Sequence, residues 1–272
     1  MYRIILLRLL RKVGLLKNRQ VDFLLKVNNK EFIVPIINEV GFNNHCMDEL
    51  WMIDLFKKLK LNSSGQLLDV GANVGQTLLK WKSVYPLNAY IGVEPIPACR
   101  YYLETISSLN NFEDCKFSHK ALFNSKGRTN LNFHDNDNTD RTATVVESEL
   151  KPIKSIDVDL VDFPTFVSEE KIQLDKIKII KIDTEGSEVE ILNSMLYFIM
   201  EYKPKIIVEV LAYNSSTKER VDNFNALLNE LPYSLYRIKK KSGCLDKLEK
   251  ISYISIPTKV DDSDYFLEPI FD

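Results

Sequence analysis

Glycine, cysteine and histidine are all scarce in this chain, with nine, four and three among 272 residues. Cys46, Cys99, Cys115 and Cys244 form no CxxC pair. That argues against a zinc ribbon or a thioredoxin-type centre and for reduced thiols in a cytoplasmic protein. His45, His119 and His134 are too scattered for an HExxH metal site. No apolar run reaches 18 residues, so no membrane-spanning helix is expected. No internal repeat or low-complexity tract is present. A basic surplus is missing too: 36 Lys and Arg against 38 Asp and Glu leave a net charge of −2. A dedicated nucleic-acid binder would carry the opposite balance, and no nucleic-acid partner is expected.

What remains is an ordinary globular composition, 45% apolar and 27% charged. A chain of this length buries roughly 75% of its unfolded surface without a metal or disulfide staple. Residues 1–20 stand apart. Nine aliphatic residues between Ile4 and Leu16 alternate with Arg3, Arg8, Arg11, Lys12, Lys17 and Arg19, and no small-residue cleavage site follows. The pattern is a basic amphipathic helix rather than a secretory signal. Such a helix packs on its own domain, pairs with a second subunit as a homodimer, or lies peripherally on the inner face of a membrane.

From Gln66 onward, short β-branched runs alternate with helical periodicity. Strands are expected at Gln66–Val70, Ala89–Val93, Lys116–Leu122, Ile177–Ile182 and Lys205–Leu211. Helices are expected from Gly75 to Trp81, Pro97 to Leu109, Ser187 to Met200 and Lys218 to Leu231. Before them come a strand at Glu31–Ile37 and a helix at Met47–Leu61. Hairpin-like strands near 129–134 and 143–147 follow the turn Asn124–Gly127. Ser234–Ile238 and Ile251–Ile256 read as a closing antiparallel pair. The expected fold is α/β, a doubly wound, mostly parallel, Rossmann-like sheet with an antiparallel C-terminal hairpin. The domain would span 62–260, after a helical extension at 1–61 and before a tail at 261–272.

Four of the nine glycines, Gly71, Gly75, Gly92 and Gly186, lie in or beside the expected strands. In Leu67-Leu-Asp69-Val-Gly71-Ala-Asn73-Val-Gly75-Gln76-Thr77 an apolar strand runs into a tight loop and a helix. The helix N-terminus offers free N–H groups to an anion. Asn73 stands at the second glycine of a G-x-G-x-x-G fingerprint, so the loop suits an amino-acid carboxylate better than a pyrophosphate. Glu94 ends the next strand, 19 residues beyond Gly75. An acid there accepts hydrogen bonds from a ribose diol. Asp183 and Glu185 end a later strand at the carboxyl edge, where spacing by two aims both at one face. Ser187 and Glu190 read as a capping box, and Glu188 as a first-turn acid that favours the helix dipole.

The glycine loop, Val93-Glu94-Pro95, Lys181-Ile-Asp183-Thr-Glu185-Gly186-Ser-Glu188 and Ile207-Val-Glu209 together resemble the FkbM-type methyltransferases over residues 45–212. The resemblance implies a class I enzyme that uses S-adenosylmethionine. The methionine end would sit at Gly71–Gln76 beside Asp69, the ribose on Glu94, and the adenine beside Lys120 and Ala121. Ile96 replaces the asparagine found in the E-P-N-P of many relatives.

Transfer to an alcohol needs its proton removed, and a carboxylate or histidine serves. Asp183 is the first candidate, His119 the second, with Glu185 alongside and Glu209 shaping the acceptor pocket. A divalent cation could sit between Asp183, Glu185 and Glu209, a site that no known ligand spacing supports. The segment Phe133–Glu149, with His134, Asp135, Asp137, Asp140 and Arg141, reads as a loop over the acceptor. The leading reading is O-methylation of a sugar, glycan or other small hydroxylated molecule. Competing readings are a nucleoside-binding or interaction module without turnover, and a nucleic-acid methyltransferase.

Overall fold

A computed structural model describes residues 2–134, 143–145, 151–210, 217–256 and 262–271, the side chains of 2, 3 and 217 aside. Helix α1 (Tyr2–Lys12) is followed by strands β1 (Gln20–Val27) and β2 (Lys30–Ile37). The segment expected as a helical extension therefore contains a hairpin. Asn28 and Asn29 join its strands, both in the left-handed region that a two-residue turn between twisted strands requires. One face of β1, Gln20, Asp22, Leu24 and Lys26, is exposed, and its sequence alternates accordingly except at Leu24. A 3-10 helix (Phe42–Cys46) and α2 (Trp51–Leu59) complete this part. Helix α1 packs on it through Leu7, which shares a cluster with Leu16 from beyond the helix, Ile36 and Phe42.

The remaining elements are β3 (Gln66–Val70), α3 (Gln76–Val84), β4 (Tyr90–Val93), α4 (Pro97–Leu109), β5 (Cys115–Ser118), β6 (Ala121–Phe123), β7 (Gly127–Phe133), β8 (Lys154–Asp162), α5 (Phe163–Glu170), β9 (Ile177–Ile182), α6 (Glu188–Ser194), α7 (Leu196–Tyr202), β10 (Lys205–Glu209), α8 (Thr217–Glu230), β11 (Tyr233–Lys241), β12 (Cys244–Ile251) and β13 (Asp264–Pro269). Among the described residues the main sheet has the order β12-β11-β13-β10-β9-β3-β4-β5. Strands β10, β9, β3, β4 and β5 run parallel, and β13, β11 and β12 antiparallel. This is the expected doubly wound α/β sheet with an antiparallel C-terminal hairpin.

Strand β8 and helix α5 were not among the expected elements, the helix expected from Ser187 to Met200 is divided into α6 and α7, and four further details differ from the sequence expectation. The strand expected at Lys116–Leu122 breaks at His119 and Lys120, and its second part joins a small sheet, β6-β8-β7. There β7 pairs with β8 along its length, whereas Thr144 makes only a single bridge to Asn132. The partner of β11 begins at Cys244, because Ser242 and Gly243 adopt the left-handed conformations of a tight turn. The residues expected as a tail supply β13, inserted between β10 and β11. Its apolar stretch, Tyr265–Leu267, is only three residues long and is flanked by acids, so its pattern was too short to read as a strand. Most of the loop expected at Phe133–Glu149 lies outside the described residues.

Adjacent residues of each central strand enter different cores. Leu67, Ile179, Ile207 and Phe266 pack with Trp51, Phe56, Trp81 and Tyr102, on the side of α2, α3 and α4. Leu68, Ile180, Ile206 and Leu267 pack with Phe166, Leu192, Phe198 and Phe224, on the side of α5 to α8. Burial on both faces explains the near-continuous aliphatic strands.

Candidate active site

The face that carries Leu67, Ile179, Ile207, Ile238 and Phe266 changes character one step toward the carboxyl edge. The next residues on that face are Asp69, Lys181, Glu209, Lys240 and Asp264. Register sets them side by side, Asp69 against Lys181 and Glu209 against Asp264. One further step along β9 comes Asp183. A row of charges thus caps the apolar core at the edge where α/β sheets hold ligands.

Lys181 organises the centre of this row. Its ammonium lies 2.9 Å from Asp183 Oδ2 and 3.7 Å from Asp69 Oδ1. Burial opposes the charge, but Asp183, Asp69 and Glu49 outweigh it and hold the lysine above its usual range. Asp69 is fully buried and accepts hydrogen bonds from the Tyr90 hydroxyl and the Thr77 side chain. Burial pushes its carboxyl up, against the pull of Lys181 and Tyr90. Its Oδ1 has no hydrogen-bond partner. Asp183 differs: its side chain keeps 27% of its exposure, against 7% for Lys181. It is the member of this trio that reaches an approaching molecule.

Glu209 forms a hydrogen bond to Asp183, and the Ser263 hydroxyl donates to Glu209 Oε1 at 2.9 Å. Two carboxyl groups share a hydrogen bond only when one carries a proton. Burial first, then Asp183 and Asp264, push Glu209 up to about 10, so Glu209 is the donor. Asp264, paired with Lys240, is pushed up to about 6, chiefly by burial. Glu49, before α2, meets Lys80 of α3 at 3.1 Å. Among the described residues no group of three or more His, Cys, Asp or Glu is arranged to hold a metal ion.

The glycine loop touches this row directly. Gly71 has φ 85°, and a Cβ there would stand 1.8 Å from the Asp183 carbonyl oxygen. Gly75 has φ 77°, and a Cβ there would press on Leu103. Both glycines answer to close approach by the chain itself. Asn73 also bends left-handed, with its Oδ1 accepting from Val74 N at 2.8 Å, and Gln76 reaches back to the Asn43 carbonyl. No side chain caps α3. Glu94 closes the loop from the next strand, accepting from Asn73 N and Ile96 N at 2.8 Å each. It is buried with no ion pair to a cation among the described residues, and burial pushes its carboxyl up to about 7 against those two bonds.

The other sequence candidates fall elsewhere. Glu185 has φ 57°, so the chain has left the strand and the spacing by two no longer aligns it with Asp183. His119 is exposed and lines a cavity of about 490 Å³ with Pro95, Pro97, Tyr101, Arg128 and Asp157. Asp183 does not line that cavity. Lys120 is paired with Glu169 of α5, and Ala121 is buried at the start of β6. The expected capping box does not form, since Ser187, at φ −98° and ψ 12°, lacks the extended backbone of a cap. Glu188 takes over. Its Oε1 accepts from Thr184 N and Gly186 N, and its Oε2 meets Arg220 at 3.2 Å. The same guanidinium fills the space where a Gly186 Cβ would stand.

Sheet order and edge together are those of the class I methyltransferases. The chain belongs to the FkbM methyltransferase family: the methyltransferase FkbM domain matches residues 69–238, more than half of its length. The FkbM methyltransferase of Methylobacillus flagellatus KT superposes with a TM-score of 0.50 at 17% identity, over 83% of this chain and 52% of that one. The chain thus spans about half the length of that relative. Fibrillarin from Aeropyrum pernix, solved with natively bound S-adenosyl-L-methionine, gives a TM-score of 0.45 at 10% identity, over 92% of this chain and 82% of that one. A search of curated proteins finds no match.

Proposed function

We propose that this protein transfers a methyl group from S-adenosylmethionine to a hydroxyl of a sugar, glycan or other small molecule, with Asp183 as the base. The observation that carries the reading is the contact between Gly71 and Asp183. It brings the strand end that bears Asp183, a carboxylate keeping 27% of its exposure, close to the loop suited to the donor.

The local chemistry fits an amino acid joined to a nucleoside. The uncapped N-terminus of α3 offers N–H groups to a carboxylate. Asp69 supplies a buried oxygen that accepts no hydrogen bond and would suit the ammonium of an amino acid. Glu94 keeps a lone pair on each oxygen for a ribose diol after its two backbone bonds. S-adenosylmethionine, when bound, supplies an electrophilic methyl on a sulfonium. Asp183 orients the acceptor hydroxyl and takes its proton as the oxygen–carbon bond forms and the carbon–sulfur bond breaks. Alignment of this kind lowers a barrier by roughly 7–11 kcal/mol.

Incubation with methyl-labelled S-adenosylmethionine and a fractionated cell extract tests the reading. Label is expected in a small hydroxylated molecule, with matching release of S-adenosylhomocysteine. Binding of the donor with no homocysteine product in any fraction would identify a binding module instead.

A further inference from the structure

Helix α1 has two apolar faces and the fold uses one. Leu7 is 1% exposed, against Ile36 and Phe42, with Leu10 packed beside it. Arg11 belongs to the same side, lying over the Phe42 ring and meeting Glu39. On the opposite side Ile5, Leu6, Leu9 and Val13 are between 49% and 66% exposed. Val13 continues the helical bonding through its N–H to the Leu9 carbonyl. At about 100° per residue these four side chains fall within one arc of about 100°, turned away from Leu7. An apolar stripe of this kind on a surface helix marks an interaction site.

Charge decides what it meets. Arg8 and Lys12 are exposed and follow the stripe along one edge, and no acid precedes Asp22 in the chain. An apolar partner protein would leave these cations unmatched, and a second copy would set them against their own kind. A bilayer bearing anionic headgroups satisfies both parts, since long basic side chains reach the headgroups while their neighbours enter the acyl boundary.

We propose that the outward face of α1 docks on an anionic membrane surface. No helix among the described residues is long and apolar enough to cross a membrane, so the attachment is peripheral. It does not depend on the methyl-transfer reading.

The test is co-sedimentation of the full chain with phosphatidylcholine vesicles, with and without phosphatidylglycerol. The chain should sediment with the anionic vesicles at low salt, and less as salt rises. Leu6→Ser, Leu9→Ser and Val13→Ser combined leave the packed face intact and should weaken binding on the order of 100-fold. If that variant does not fold by circular dichroism, Arg8→Gln with Lys12→Gln replaces it, with a loss of about fivefold for each cation. Absence of sedimentation at low salt, or undiminished binding by a folded variant, would overturn the proposal. So would a wild-type dimer by light scattering that the serine variant converts to monomer.

Discussion

Two carboxylates stand at the carboxyl edge of the sheet on either side of β3, and the chain holds them by opposite means. Glu94, on the β4 side, is held among the described residues by two backbone N–H donors and no cation. Asp183, on the β9 side, sits between the Lys181 ammonium and the protonated Glu209. A group held by dipoles alone pays for burial in proton affinity, which is why Glu94 is pushed up to about 7. A group beside a full charge has its counter-ion without help from a ligand. The first arrangement suits a carboxylate that waits for hydroxyl donors, and the second a carboxylate that acts on a substrate.

Loss of charge at Asp183 is the strongest way to break this contrast. Asp183→Asn keeps the shape, so turnover should fall roughly 10²–10⁴-fold while donor affinity by calorimetry stays within about twofold. His119→Gln should cost less, because His119 lines the separate cavity. Near-normal turnover in Asp183→Asn, or a large loss of donor affinity, would move the base elsewhere.

Next in size is the cation between the two halves. Lys181→Met leaves Asp69 and Asp183 without their shared ammonium in a buried setting. Removal of one partner from such a network costs about 3–5 kcal/mol. Urea unfolding should show that loss. A variant as stable as the wild type would mean that the row does not depend on this lysine.

Glu94→Ala should weaken binding of S-adenosylmethionine at least tenfold, since each charge-assisted bond contributes ~1.5–3 kcal/mol. Glu94 also gives a sign. Ribose hydroxyls donate to the ionised form, which dominates only above about pH 7 in the free protein. Affinity should therefore rise as pH passes upward through that value, and Glu94→Gln should flatten the dependence. A flat wild-type profile would take Glu94 out of the binding site.

The central strands were legible because aliphatic runs buried on both faces carry a continuous signal. The edge was legible in its members and not in its wiring. Asp69, Glu94, Asp183 and Glu209 each end or nearly end an aliphatic run, a position visible in one dimension. Lys181, Tyr90, Lys240 and Asp264 matter through strand order and register, which place β13 between β10 and β11. One signal was present and unread: Leu67-x-Asp69, Ile179-x-Lys181, Ile207-x-Glu209 and Ile238-x-Lys240 repeat an apolar residue followed two places later by a charge. Four strands that each turn charged near the carboxyl edge, with Asp69 level with Lys181 and Glu209 level with Asp264, define a charged rim. Glu185 misled because its spacing assumed an extended chain, and the backbone turns left-handed there.

A proton on Glu209 sharpens the comparison from the Asp183 side. Glu209 in the folded chain is pushed up to about 10, whereas in the unfolded chain it titrates at its ordinary 4.5. Between those values the folded protein holds a proton that the unfolded chain has lost. Stability from this group is therefore fully present below the ordinary carboxylate range and declines as pH rises toward about 10. Glu209→Gln cannot titrate, yet its amide N–H₂ still donates to Asp183. The thermal midpoint of the wild type should fall relative to that of the glutamine variant as pH is raised, and the two should converge in acid. Glu209→Gln should also retain most turnover if the residue acts as a neutral donor that positions Asp183. Parallel midpoint curves would show that Glu209 is ionised in the folded chain and that its proton does not distinguish the Asp183 half from the Glu94 half.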